Sequence, residues 1–169
     1  ADDGARCTPS QLTTPSSIEL SRLMQRMVAN GCSACAMEAS SHALHQQRTA
    51  GLRFYGGVFT NLTGDHLDYH GSMDSYAAAK AMLFASLPAD GVAVVNMDDP
   101  RSRMMINATD ARIITCSLRQ ADAASTARIL SETIAGMELE LRGCWGQMRV
   151  KLPLIGRHNP ENAFVAVQV

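Results

Sequence analysis

Between residues 13 and 31 the apolar positions Ile18, Leu20, Leu23, Met24, Met27 and Val28 recur at helical spacing. Thr14 stands where an N-cap belongs, Pro15 at the first helical position, and Asn30-Gly31 closes the run, which predicts one amphipathic helix. After it the spacing changes. Four short apolar runs, at 34–37, 57–60, 92–95 and 112–116, alternate with stretches of helical periodicity. The clearest of those stretches covers 73–86 and stops before Pro88, and the next starts near Asp99-Pro100. Strands that alternate with helices predict an α/β fold, a mostly parallel sheet with helices on both faces.

Past Gln120 the pattern shifts again. Residues 137–141 and 147–152 alternate apolar with polar side chains and are separated by Gly143 and Gly146, which predicts a small antiparallel hairpin at the domain edge. The small-residue stretch 121–127 reads as loop or helix. Gly156 then breaks the chain ahead of a final helix from about Pro160.

At 169 residues, with 46% hydrophobic and 18% charged positions and a net charge of -1, the chain fits one ordinary domain with a sizeable core. Lys and Arg are interspersed with Asp and Glu and form no basic stripe, so no nucleic-acid partner is expected. No apolar run approaches a membrane span, and Ala1-Asp2-Asp3-Gly4 lacks the parts of a signal peptide; a cytoplasmic protein without a membrane partner is expected. Cys7, Cys32, Cys35, Cys116 and Cys144 are odd in number and lack framework spacing, which predicts reduced thiols. Cys32 and Cys35 form a CxxC that leads into an apolar run rather than opening a helix, so a structural part is expected over a redox one. The chain starts without Met and stops inside an apolar, helix-like run, and it reads as a piece of a longer protein.

Three places carry candidate chemistry. Glu38 stands at the carboxyl end of the first predicted strand, where ligands of doubly wound sheets collect; by position it is a ligand carboxylate or a helix-capping acid. Behind the second strand, residues 65–70 pack two His and two Asp into six positions. That density suits a hard-cation site shared by imidazole and carboxylates, though it is too short to supply a whole one. The alternative is a polar loop with Asp65 as a helix cap and His70 exposed. Lys80, the third, shares a helix side with Tyr76, Leu83, Phe84 and Leu87. Burial lowers a lysine pKa, and a neutral amine can act as a nucleophile or capture carbon dioxide as an anionic carbamate. Otherwise Lys80 is a snorkelling ammonium.

Six motifs occur in an order that resembles the Mur ligase family: Leu12-Thr13-Thr14-Pro15, Met37-Glu38-Ala39-Ser40-Ser41-His42-Ala43-Leu44, Phe59-Thr60-Asn61-Leu62, Asp65-His66-Leu67-Asp68-Tyr69-His70-Gly71, Tyr76-Ala77-Ala78-Ala79-Lys80 and Gly156-Arg157-His158-Asn159. Within the family the first two together are similar to the members that add the third amino acid to UDP-N-acetylmuramoyl-L-alanyl-D-glutamate. The likeness runs from about Leu12 to the C-terminus and thins between Gln120 and Met148.

The resemblance implies a three-layer central domain that works with ATP, two magnesium ions, and carbon dioxide held as a carbamate on Lys80. It implies Thr13, Thr14, Ser40, Gln46 and Arg48 as contacts to the UDP-muramoyl-dipeptide, and Asn159 and Asn162 beside the adenine. Glu38 and His66 match magnesium ligands, and the Lys80 carbamate is expected to steady the second ion. Arg48 is physically apt, because a guanidinium grips carboxylates in a forked geometry. In the implied reaction the gamma-phosphoryl of ATP passes to a substrate carboxylate, and a free amino acid, diaminopimelate or lysine, attacks the acyl phosphate to form an amide. Cations offset the repulsion between the two anions that must meet.

The chain departs from the family in one respect that matters. No GxxxxGK[ST] run occurs in it; in the family this phosphate loop lies upstream of Thr-Thr-Pro. The sequence is therefore expected to be a partial central domain, without the N-terminal UDP-binding and C-terminal amino-acid-binding domains, and inactive by itself. Rival expectations are a folylpolyglutamate synthetase-like ligase, a metal-dependent hydrolase using Glu38, His66, Asp68 and a carbamylated Lys80, and a non-catalytic binding module. Oligomeric state is silent in the sequence.

Overall fold

The computed structural model describes residues 1–156 together with Asn159, Pro160, Asn162 and Phe164. Its elements follow as α1 (Ser17–Ala29), α2 (Ser41–His45), β1 (Gly56–Phe59), α3 (Leu67–His70), α4 (Met73–Ala85), β2 (Val92–Asn96), α5 (Ser102–Asn107), β3 (Arg112–Ser117), β4 (Ser125–Thr133), β5 (Gly136–Gly143) and β6 (Gly146–Leu152). All six strands join one sheet in chain order. β1 to β4 run parallel, and β4, β5 and β6 form an antiparallel meander. The α/β expectation holds, and the edge hairpin is β5–β6.

β2 lies between β1 and β3, and its run Ala93 to Asn96 is buried throughout, as a parallel strand covered on both faces must be. Ala93 and Val95 face a cluster with Phe59, Ala77, Phe84, Leu87 and Met105. Val94 points the other way, to Cys116, Leu139, Leu141 and Phe164. α4 lies on the first face and presents Ala77 and Ala81 to the sheet, small residues that allow close approach. Gly57 completes that fit, because a Cβ there would come within 3.2 Å of Leu87.

Four elements differ from those the sequence predicts. α1 is capped by Ser16, not Thr14: the Ser16 hydroxyl accepts the Glu19 amide, and the Glu19 carboxylate accepts the Ser16 amide at 3.1 Å. This capping box requires an acid three residues on, which Ser16 has and Thr14 lacks. Asn30-Gly31 does end α1, with Gly31 at φ 86 and the Cys32 amide bonded to the Met27 carbonyl. Residues 34–37 form no strand, because no neighbouring strand pairs with them among the described residues. The stretch 121–127, read as loop or helix, runs into β4, which pairs with β3 and then β5. α5 starts at Ser102 rather than at Asp99-Pro100, since the Asp99 carboxylate receives the Arg101 amide and its carbonyl the Ser102 amide.

Asn159, Pro160, Asn162 and Phe164 are helical, and the rest of the final predicted helix, with Arg157 and His158, lies outside the described residues. No helix among the described residues is long and apolar enough to cross a membrane. The five cysteines are free thiols.

Candidate functional site

Thr14 is 1% exposed, and its side chain organises the segment around it. The hydroxyl donates to the Glu38 carbonyl and accepts the Ser40 amide. Ser40 in turn caps α2, its hydroxyl accepting the Ala43 amide at 3.2 Å. Two predicted substrate contacts thus serve the backbone first, and the Ser40 hydroxyl donates to no partner among the described residues. Thr13, next to them, is exposed.

Where α2 ends, Gln47 adopts the left-handed conformation at φ 54. The Arg48 amide bonds the Ala43 carbonyl at 2.8 Å and the Gln47 amide the Leu44 carbonyl at 3.0 Å, a Schellman turn with glutamine where glycine is usual. The turn folds Arg48 back onto Gln46, and the guanidinium donates from Nε and Nη2 to Gln46 Oε1 at 2.8 and 2.5 Å. Nη1 donates to the Thr14 carbonyl at 2.9 Å. Arg48 is half-buried and has no acidic partner among the described residues. A half-buried guanidinium in this state has N–H groups left with which it can bond a carboxylate or phosphate.

His66 sits directly before α3 at φ 62, a left-handed conformation that strains any side chain bearing a Cβ. Asp65 does not cap α3; its carboxylate accepts the Thr63 hydroxyl at 2.7 Å. Around this turn four imidazoles and two phenols gather. His42 lies 4.8 Å from His66, 5.5 Å from His70 and 4.2 Å from Tyr69, ring centre to ring centre. His70 stacks on Tyr76 at 5.2 Å and shares a hydrogen bond of 2.9 Å with the buried Ser41 hydroxyl, so it is not the exposed residue of a polar loop. Burial, then the charges of His42, His45 and His66, hold the His70 pKa below its ordinary value.

Two residues missed by the sequence reading hold the loop behind β1. Asn96 Nδ2 donates to the Thr60 carbonyl at 2.7 Å, and the Asp99 carboxylate accepts the Leu62 amide at 2.6 Å. Asn96 ends β2 and Asp99 follows it, at the carboxyl end of a strand, the kind of position that singled out Glu38, so the same topological rule points to them.

Lys80 lies on the inner side of α4 and is half-buried, with Nζ donating to the Ala39 carbonyl at 3.2 Å. Burial lowers its pKa, and Glu38 acts against that shift, which puts the Glu38 carboxylate within electrostatic reach. Tyr76, one turn before Lys80, has its pKa raised by burial and then by Asp65 and Glu38. The His66 ring lies 5.9 Å from the Tyr76 ring. His66 thus stands beside the Tyr76 ring, and the charge of Glu38 is felt at both Tyr76 and Lys80. No three His, Cys, Asp or Glu side chains gather as a metal site among the described residues. A cation held by Glu38 and His66 needs a further anionic donor, and Lys80 fits that need only in its carboxylated form.

Asn159 and Asn162 belong elsewhere. Asn159 donates to the Ile155 carbonyl at 2.7 Å and Asn162 is exposed. The helical residues that carry them anchor through Phe164 on the sheet face opposite α4.

Comparison with known proteins agrees with this picture. The model of the Mur ligase middle domain matches residues 3–169. A UDP-N-acetylmuramoyl-L-alanyl-D-glutamate--2,6-diaminopimelate ligase from Cytophaga hutchinsonii is 45% identical over 150 residues, covering 89% of this chain and 30% of that protein. The protein of the same name from a Synechococcus species is 46% identical over 158 residues, covering 92% of this chain and 32% of its own. A solved structure of a ligase of that name superimposes with a TM-score of 0.84 at 36% identity, covering 92% of this chain and 33% of that one. The chain spans about a third of the length of these relatives. Fold, motif order and these likenesses lead to one conclusion: the chain belongs to the Mur ligase family and has the fold of its middle domain.

Proposed function

We propose that the protein carrying this chain is an ATP-dependent ligase of the cytoplasm that adds the third amino acid, diaminopimelate or lysine, to UDP-N-acetylmuramoyl-L-alanyl-D-glutamate. The 169 residues form part of its central domain, without the phosphate loop. The observation that carries the reading is Lys80: a half-buried amine whose hydrogen-bond partner is a carbonyl, within electrostatic reach of Glu38.

Burial favours the neutral amine. Its lone pair forms a bond to the carbon of carbon dioxide, one C–O π pair moves onto oxygen, and the nitrogen proton leaves to solvent, giving a carbamate anion. A carbamate near the Glu38 carboxylate sets two anions together, an arrangement that is unfavourable until a divalent cation joins them. Glu38, His66 and the carboxylated Lys80 would hold two magnesium ions. Bound ATP and magnesium supply the phosphoryl group and the positive charge that activate a substrate carboxylate. Arg48 grips a substrate carboxylate, and Gln46, Thr13 and the Ser40 hydroxyl line its approach, while Asn159 and Asn162 border the adenine.

The test uses the full-length enzyme under native conditions. Expected are ligation that requires ATP and magnesium, and a Lys80 heavier by one carbon dioxide in a native mass spectrum. Hydrolytic turnover without ATP, or an active enzyme whose Lys80 is unmodified, would overturn the reading.

A further inference from the structure

Tyr69 has no role in the chemistry above, yet its hydroxyl is the meeting point of α2 and α3. It lies 2.9 Å from His45 Nδ1 and accepts from Gln46 Nε2 at 3.2 Å, while its ring packs on His42. That bond fixes where the Gln46 side chain lies, and the donor-only Arg48 guanidinium sets which way its amide faces. Oε1 is turned to Arg48 and accepts from both Nε and Nη2. The flipped amide would set its N–H groups against the guanidinium, donor against donor. Arg48 meanwhile keeps N–H groups beyond those that Gln46 and Thr14 occupy, with no acidic partner among the described residues.

The geometry points to Tyr69 as a positioning residue for the acidic substrate: through Gln46 it fixes the direction in which Arg48 presents its free N–H groups. The same hydroxyl ties that grip to the helical turn that opens at His66, so the carboxylate receptor and the candidate cation ligand move as one unit. This inference rests on the ligase reading, in which Arg48 receives the UDP-muramoyl-dipeptide. Tyr69 is 39% exposed, and loss of its hydroxyl opens no hole in the core.

Tyr69→Phe keeps the ring on His42 and removes the hydroxyl. In the full-length enzyme it is expected to raise KM for UDP-N-acetylmuramoyl-L-alanyl-D-glutamate by about three- to tenfold, the range of one neutral hydrogen bond. KM for ATP and the thermal midpoint stay at wild-type values, which a general loss of structure would not allow. Gln46→Ala reads the same link from its other end, and Tyr69→Phe added to it is expected to bring no further rise. An unchanged KM in Tyr69→Phe, or equal rises in the wild-type and Gln46→Ala backgrounds, overturns the inference. Arg48→Ala separates the positioning role from the ligase reading on which it rests. If it leaves KM for the muramoyl substrate untouched, the ligase reading of this arm fails; if it raises KM while Tyr69→Phe does not, only the positioning role fails.

Discussion

The Thr14 hydroxyl donates to the backbone carbonyl of Glu38 at 2.8 Å while accepting the Ser40 amide at 3.0 Å. One side chain thereby fixes the segment on which a candidate cation ligand and the cap of α2 both depend. Thr14→Val keeps the shape and removes the hydroxyl, leaving a part-buried carbonyl and amide unpaired. The expected loss is about 1–3 kcal/mol in urea unfolding, with a fall in ligation by the full-length enzyme. Thr14→Ser is expected to retain most of both; a Thr14→Val protein as stable as the parent would show that the pin carries no weight.

Lys80 sets function against stability. Burial holds its folded-state pKa below the ordinary 10.5, so the unfolded chain binds more protons between those two values. The uncarboxylated chain therefore gains stability as pH climbs toward 10.5, and Lys80→Met lacks that slope. At neutral pH Lys80→Met is expected to be at least as stable as the parent, since it no longer buries an ammonium. Lys80→Ala in the full-length enzyme abolishes ligation, and added formate or acetate partly restores it by supplying the lost carboxylate. Full activity of that variant contradicts the carbamate.

His70 gives an acid limit. Its pKa is depressed from 6.5, so folding favours the neutral ring. That contribution is complete above about 6.5 and is lost as pH falls from there toward the folded-state value. His70→Gln can still bond Ser41 but does not titrate, and it is expected to flatten the decline. Urea midpoints at about pH 7.5 and 5.5 measure the difference; equal slopes in the two proteins would assign the acid sensitivity to other groups.

Gln47 is a test with two signs. At φ 54, Gln47→Gly relieves the left-handed strain and is expected to leave stability equal or raise it by up to about 1 kcal/mol. Gln47→Val, branched at Cβ, is expected to destabilise and to loosen the Gln46–Arg48 pair. Thermal midpoints of the two variants that shift in the same direction would refute the turn as described.

Much of the sheet was legible because its strands are short apolar runs buried on both faces. β1, β2 and β3 each lie within one residue of the runs at 57–60, 92–95 and 112–116. β4 escaped because Ser125-Thr126-Ala127 carries no apolar alternation, and its identity comes from pairing with β3 and β5. Residues 34–37 show the converse, an apolar run with no partner to make it a strand. At the site, spacing marked Glu38, the Asp65–His70 turn and Lys80 separately. It did not reveal that His42 of α2 would meet His66 and His70, because that contact depends on how α2 and α3 pack on α4. Asn96 and Asp99 were within reach of the rule that picked Glu38, but Asp99-Pro100 also looks like a helix start, and that local signal hid the long-range one.

β3 and β4 pair over only two residues, Cys116 with Ser125 and Ser117 with Thr126, whereas β4 and β5 pair along most of their length. A ladder that brief is the cheapest place for the sheet to part. In native-state hydrogen exchange the meander amides of β5 and β6 then behave as a cooperative unit of their own, opening apart from β1, β2 and β3. Nascent chain leaving the ribosome would meet the same division in order: the parallel half emerges first, and the meander, built from local contacts, closes onto it afterwards.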